Sequence, residues 1–396
     1  MFYRYIIGGL HMDTLIKWPG GKKNEIKYIK DLIPKFDNYV EPFLGGGALF
    51  FDLEPKSAYV NDISTDLIQF YQLLSEKDTR KTLKEILLSY NEYWDYIAEI
   101  NNMLYPKFKI IYDGFKHEKI DRNGLKELIK GVIEENENLF LDAFPDNIYI
   151  DKEVYIKEIN RNLASKIPRT ARLDLKKPFS EEQIKDNIET ALRSAFYMHE
   201  RYKLNKFAIN AIDVSKEENT ANYYYVREYC YGSMFRYNKN GEYNIPYGGM
   251  SYNKKNFKEK IDKLFSQKTY TILHNAHILN CDFEDFLNHF NFTENDFIFF
   301  DPPYDTDFST YDNNAFTLED QKRLANCIYN LDAKFIFIIK KTDFIWDLYA
   351  NKEGIYIEIF DKKYSYNVRG RNDRDVEHLI IHNIKSPQTS IDNFID

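Results

Sequence analysis

Two hydrophobic rhythms alternate along this chain. Short unbroken apolar runs closed by polar or glycine-rich turns predict buried strands. They lie at Tyr39-Val40, Ser57-Ala58-Tyr59-Val60, Phe297-Ile298-Phe299-Phe300, Lys334-Phe335-Ile336-Phe337-Ile338-Ile339 and Val376-Glu377-His378-Leu379-Ile380-Ile381. Apolar and charged residues recurring at helical spacing instead predict helices over residues 25–32, 83–100, 125–140, 181–201 and 222–231. Strand signals sit toward both ends of the chain and helical signals fill its middle. The expected fold is therefore α/β, a Rossmann-like doubly wound sheet whose chain is interrupted by a mostly helical insertion. Residues 12–75 and 265–396 would form the two parts of the sheet domain, and residues 76–264 the inserted region.

Two strand ends carry candidate chemistry. Glu41-Pro42-Phe43-Leu44-Gly45-Gly46-Gly47 follows the first strand, and its glycines let backbone approach a ligand and adopt positive φ. The spacing is not the dinucleotide G-x-G-x-x-G pattern. Asn61-Asp62 ends the second strand, where an acid can accept bonds from ribose hydroxyls. Asp301-Pro302-Pro303-Tyr304 ends the Phe297–Phe300 strand. A fixed carboxylate beside prolyl carbonyls can accept both hydrogens of an exocyclic amine, and a tyrosine ring offers a face on which a base can stack.

Together with Lys17-Trp18-Pro19-Gly20-Gly21-Lys22 upstream, these segments occur in the order seen in Dam-type, alpha-class DNA adenine methyltransferases, which the chain resembles. The resemblance implies a Rossmann-like methyltransferase domain using S-adenosyl-L-methionine. Trp18, Lys22, Phe43, Gly45, Gly47, Asp62 and Asp301 would then bind the cofactor, and Asp301, Pro302 and Tyr304 would act on a flipped adenine of double-stranded DNA. Pro19 stands where the family often has alanine, which stiffens that turn.

Within the insertion, Asn240-Gly241 between aromatic flanks predicts a β-hairpin over residues 231–248. The segment resembles the recognition hairpin of the same family. The match implies that Arg236 reads a guanine edge, Met234 wedges into the base stack, and Asn238 and Pro246 support or contact the DNA. Gly232 replaces the family's usual asparagine, so the target sequence is open, with GATC the family-level expectation. The loop holding Arg369, Arg371 and Arg374 corresponds to the family segment beside the flipped base and is a candidate for phosphate contact.

Charge and composition add less. The net charge of −8 argues against nonspecific coating of nucleic acid. Locally, however, residues 17–35 hold six lysines against two acids, and residues 227–263 hold eight Lys/Arg against four acids. Three scattered cysteines give neither a disulfide framework nor a zinc spacing, so no metal is expected despite His274, His277 and Cys281. The protein is expected to be cytoplasmic, without a membrane span, and monomeric, with a cognate restriction endonuclease as a possible partner. Residues 1–11 read as a leader or mis-started segment with Met12 as the natural start, since Gly8-Gly9 can be encoded by a ribosome-binding sequence. Three other readings stay open on sequence alone: an RNA adenine methyltransferase, a catalytically silent DNA-binding protein, and a dinucleotide-dependent dehydrogenase.

Overall fold

The computed structural model describes residues 12–22, 25–303, 310–311, 314–363 and 375–385. The leader 1–11, Tyr304, Arg369, Arg371 and Arg374 lie outside these described residues. The chain divides into two compact units: one takes Gly20–Ser75 and the part from Tyr270 onward, the other Leu15–Pro19 and Glu76–Thr269.

The first unit is built on a seven-stranded sheet. In chain order its strands are β1 (Tyr39–Glu41), β2 (Ala58–Asn61), β3 (Ala276–Leu279), β4 (Phe297–Phe300), β5 (Lys334–Lys340), β6 (Tyr356–Lys363) and β7 (Asp375–His382). Their spatial order is β3-β2-β1-β4-β5-β7-β6. Pairings from β3 through β5 are parallel, and β7 runs antiparallel to both β5 and β6. Every residue of β4 is buried, which explains its unbroken apolar run. One face packs Val40, Ile298, Phe300, Phe337 and Ile381 against Phe286, Leu324, Ile328, Ile345 and Tyr349 of the flanking helices. The chain leaves β1 for β2 on one side, while β4 pairs on the other. The carboxyl ends of β1 and β4 therefore border the crevice where doubly wound sheets bind ligands.

The second unit is helical. Its longest element, Lys77–Lys116, spans 40 residues with Pro106 inside it. Leu83, Ile86, Leu87, Tyr90, Tyr93, Trp94 and Ile97 form its buried stripe. Arg122–Glu135 and Glu137–Leu141 follow as separate helices, because the chain breaks at Asn136. Lys152–Lys176 and Glu181–Ala208 pack on one another, and a capping box between Ser180 and Gln183 starts the latter. The core is aromatic: Tyr90 stacks on Tyr225 with centroids 5.0 Å apart, and Trp94 lies 4.3 Å from Tyr229.

This core also contains a buried charge network. The Glu200 carboxylate is bonded to His199 Nδ1 at 2.8 Å, accepts from Asn222 Nδ2 at 2.7 Å and from the Tyr90 hydroxyl, and pairs with Lys203 at 3.1 Å. His199 Nε2 accepts the Asp151 backbone N–H at 3.1 Å, so Nδ1 carries the proton given to Glu200. Burial alone would raise the Glu200 carboxyl, but Lys203, His199 and Tyr90 outweigh it and hold the group at about 2.

Candidate active site

The loop after β1 turns tightly, with Gly45 at φ +49° and Gly47 at φ +63°. A Cβ on Gly47 would lie 3.0 Å from the Phe51 ring, so both conformation and packing demand glycine there. The loop is pinned from several directions. Leu44 N–H donates to the Asn61 carbonyl at 2.8 Å, and the Tyr71 hydroxyl donates to the Gly45 carbonyl at 3.1 Å. Asp62 stands at the end of β2 and accepts the Gly45 N–H at 2.8 Å and the Ser64 N–H at 2.9 Å. These bonds fix its carboxylate against the glycine loop. Ile63, next to it, is an exposed apolar side chain at 50%.

Asn61 joins three strand ends. Its amide donates to the Pro42 carbonyl at 3.1 Å and the Cys281 carbonyl at 3.0 Å, and accepts the Cys281 N–H at 3.0 Å. Cys281 is thus engaged in stitching the sheet edge. His277 stacks on Tyr59, and His274 stacks on Tyr270 and bonds to the Ser75 carbonyl. Among the described residues no cluster of three His, Cys, Asp or Glu side chains could hold a metal.

Asp301 follows β4 directly. The Lys22 ammonium, 3% exposed, pairs with its Oδ1 and also donates to the Gly20 carbonyl at 3.1 Å. Next along the chain, the Pro303 carbonyl accepts Gln321 Nε2 at 3.1 Å from the helix Leu318–Tyr329. Gln321 is fully buried. A side chain from a distant helix therefore anchors the Asp-Pro-Pro turn, a support that no local sequence signal announces. A second unannounced feature is Glu41, which is buried at the end of β1 and accepts the Tyr39 hydroxyl at 2.9 Å. Burial pushes its carboxyl far above the usual range, the nearby Asp301 and Asp62 push it further, and the Tyr39 bond only partly offsets them.

Phe43 packs its ring against Phe283 and Phe316, with centroids 5.4 and 5.7 Å away. Trp18 belongs to the helical unit and meets Phe235 edge-on at 4.8 Å. The Arg227 guanidinium also lies over the Phe235 ring, 3.7 Å from its centroid.

Residues 231–248 of the helical unit fold back on themselves with two isolated antiparallel bridges, Cys230 to Tyr247 and Tyr237 to Tyr243. At the tip, the Asn238 side chain accepts the backbone N–H groups of Asn240 and Glu242 at 2.9 and 3.0 Å, and Gly241 takes φ +78°. Side-chain bonds thus do part of what ladder bonds would do. Arg236 is exposed, and its Nε donates to Asn244 Oδ1 at 2.7 Å. Arg227 and the Tyr243 hydroxyl both donate to the Met234 carbonyl, at 2.9 and 3.0 Å. Pro246 is exposed, and its carbonyl accepts the Tyr231 N–H at 2.9 Å.

A sheet of this order, with a glycine loop after β1, an acid after β2 and Asp-Pro-Pro after β4, fits the methyltransferase fold. Residues 18–122 and 138–366 match the D12 class N6 adenine-specific DNA methyltransferase family, and the chain belongs to that family. It is 24% identical over 378 residues to the type II methyltransferase M.CviBI of Paramecium bursaria Chlorella virus NC1A, covering 94% of this chain and 100% of that protein. It is also 24% identical to the type II methyltransferase M.MjaIII of Methanocaldococcus jannaschii, covering 94% of this chain and 100% of that protein. A DNA adenine methylase of Vibrio cholerae shares 24% identity over 79% of this chain and 74% of its own length. The protein is accordingly an adenine-specific DNA methyltransferase. Among the described residues no helix is long and apolar enough to cross a membrane.

Proposed function

We propose that this chain methylates the exocyclic amine of an adenine flipped out of duplex DNA, with S-adenosyl-L-methionine as donor, at one defined sequence. The observation that carries this reading is the Asp301 carboxylate. It leaves the end of β4 at the crevice, beside the glycine loop of β1, and is held by a buried lysine. The surroundings suit the cofactor: side-chain-free backbone at Gly45 and Gly47, a fixed acceptor at Asp62 for ribose hydroxyls, and apolar Ile63 beside it for a base. Trp18, Lys22 and Phe43 complete the proposed cofactor set. When bound, the cofactor supplies an electrophilic methyl group.

Flipping costs a few kcal/mol, offset by stacking and groove contacts. Asp301 and the Pro302 carbonyl accept the two amine hydrogens, which turns the nitrogen lone pair out of the ring's conjugation and toward the methyl. Tyr304 supplies the stacking face. Exchange of the methyl–sulfonium bond for an N–C bond would leave a thioether and a cationic nitrogen, whose extra proton Asp301 would take. Lys22 keeps that carboxylate aimed, so much of the rate comes from positioning.

The inserted unit is the target-recognition domain in this reading. Arg236 takes a guanine edge, Met234 wedges the stack, Asn238 and Pro246 brace the turn, and Arg369, Arg371 and Arg374 take phosphates. The protein works in the cytoplasm as a monomer, with a cognate restriction endonuclease as its counterpart. Titration calorimetry tests the cofactor assignment. S-adenosyl-L-methionine should bind the wild type and bind Asp62→Ala at least tenfold more weakly. Binding of a nicotinamide dinucleotide in its place would overturn the reading.

A further inference from the structure

The helix Lys152–Lys176 carries a row of cations that neither the fold nor the catalytic site uses. Its inner face is apolar, with Tyr155, Ile159, Leu163, Ile167 and Ala171 buried. Its outer face exposes Lys157, Arg161, Ser165, Arg169, Arg172 and Lys176, a series spaced by three or four residues and therefore one continuous stripe. At 1.5 Å per residue the stripe is about 28 Å long, the length of roughly eight base pairs of duplex. Residues 157–177 contain seven Lys/Arg against two acids, within a chain of net charge −8.

The acids do not neutralise this row. Asp174 is buried, and its carboxylate is taken by Lys116 at 2.6 Å, the Tyr112 hydroxyl at 2.7 Å and the Phe179 N–H at 2.7 Å. Among the described residues Glu158 forms an ion pair only with Arg161, at 2.8 Å, and its carboxylate also accepts from Asn162 Nδ2 at 3.2 Å. Among the described residues Lys157, Arg169, Arg172 and Lys176 have no ion-pair partner. The cations also crowd one another: partial burial, then the neighbouring Arg169, lowers the Lys166 amine below its usual value. Like charges gathered in a row raise the energy of the isolated protein, and an anion of matching length relieves it.

We propose that the exposed stripe from Lys157 to Lys176 is a second DNA-binding surface, which holds the duplex backbone outside the methylated sequence. The proposal rests on the DNA-methylating reading and adds a contact to it. Cations on a helix reach phosphates without reading bases, so the surface would contribute affinity and salt dependence while leaving sequence choice to the recognition turn. A long duplex would be held between turnovers. A minimal duplex confined to the methylated sequence would lack this contact.

The test is a full-length variant carrying Lys157→Ala, Arg161→Ala, Arg169→Ala and Arg172→Ala, compared with a control carrying Lys126→Ala and Lys130→Ala on the helix Arg122–Glu135. All six side chains are exposed, so both variants should fold. Affinity is measured against salt on a long duplex with one site and on a minimal duplex. Each lost phosphate contact flattens the slope of log affinity against log salt by about 0.9, so the fourfold variant should lose roughly three to four units on the long duplex. Between about 50 and 200 mM salt that removes a roughly hundredfold loss of affinity that the wild type shows. Methylation of the minimal duplex should match the wild type. An unchanged slope on the long duplex overturns the proposal, and so does an equal loss on the minimal one. Failure of the wild type to methylate either duplex would count against the catalytic reading and would leave the slope comparison intact.

Discussion

Glu200 offers the sharpest test of how the helical unit is held together. Replacing it with glutamine keeps the shape and removes the charge shared by Lys203, His199, Tyr90 and Asn222. The magnitude follows from linkage. The carboxyl sits at about 2 in the folded protein against an ordinary 4.5, a difference of some 2.5 pH units. At 1.36 kcal/mol per unit this is roughly 3 kcal/mol, which agrees with the 3–5 kcal/mol expected when one member of a buried ion pair is removed. Because the folded value is depressed, the stabilisation is complete above about pH 4.5 and disappears as pH falls toward 2. For a unit of about 200 residues each kcal/mol moves Tm by about 2–4 °C, so Glu200→Gln should melt about 6–12 °C lower at pH 7. Circular dichroism melts at pH 7 and pH 3.5 measure both quantities. Equal melting at pH 7, or a gap that does not shrink in acid, would refute the reasoning.

Two further expectations concern the sheet unit. Glu41 is raised by burial, so its stabilisation is complete below the ordinary carboxylate range and is lost as pH climbs toward its folded value. Glu41→Gln should therefore match the wild type in acid and melt higher at pH 8, and a lower melting temperature at pH 8 would contradict the assignment. Gln321→Ala removes the bond to the Pro303 carbonyl, worth about 1 kcal/mol, and should lower kcat roughly fivefold while leaving cofactor affinity unchanged. Unaltered turnover would show that the Asp-Pro-Pro turn needs no such anchor.

The sheet was the more legible half of the chain. Buried parallel strands write themselves as continuous apolar runs, and β1, β2, β4, β5 and β7 all lie where such runs occur. The short, half-exposed β3 carries no such run. Helices were legible in place but not in extent. The pattern over 83–100 belongs to a helix running from Lys77 to Lys116, because polar positions and Pro106 hide its continuation. The pattern over 125–140 is broken at Asn136, and 25–32 holds only the short helix Ile26–Ile29. The helix Lys152–Lys176 lies outside the expected set although Tyr155, Ile159, Leu163 and Ile167 recur every four residues along it. Part of the chain's 32 tyrosines and 30 phenylalanines goes into the stacked core of the helical unit. What local reading could not supply were the long-range partners: Lys22 with Asp301 across 279 positions, and Gln321 with Pro303.

In the proposed reaction Asp301 is the group that receives the adenine amine. Long-read modification mapping of DNA from cells expressing the wild type or Asp301→Ala tests it directly. N6-methyladenine at a single sequence motif with the wild type, none with the variant, and retained DNA binding by the variant is the predicted result. Methylation persisting in Asp301→Ala would contradict the account.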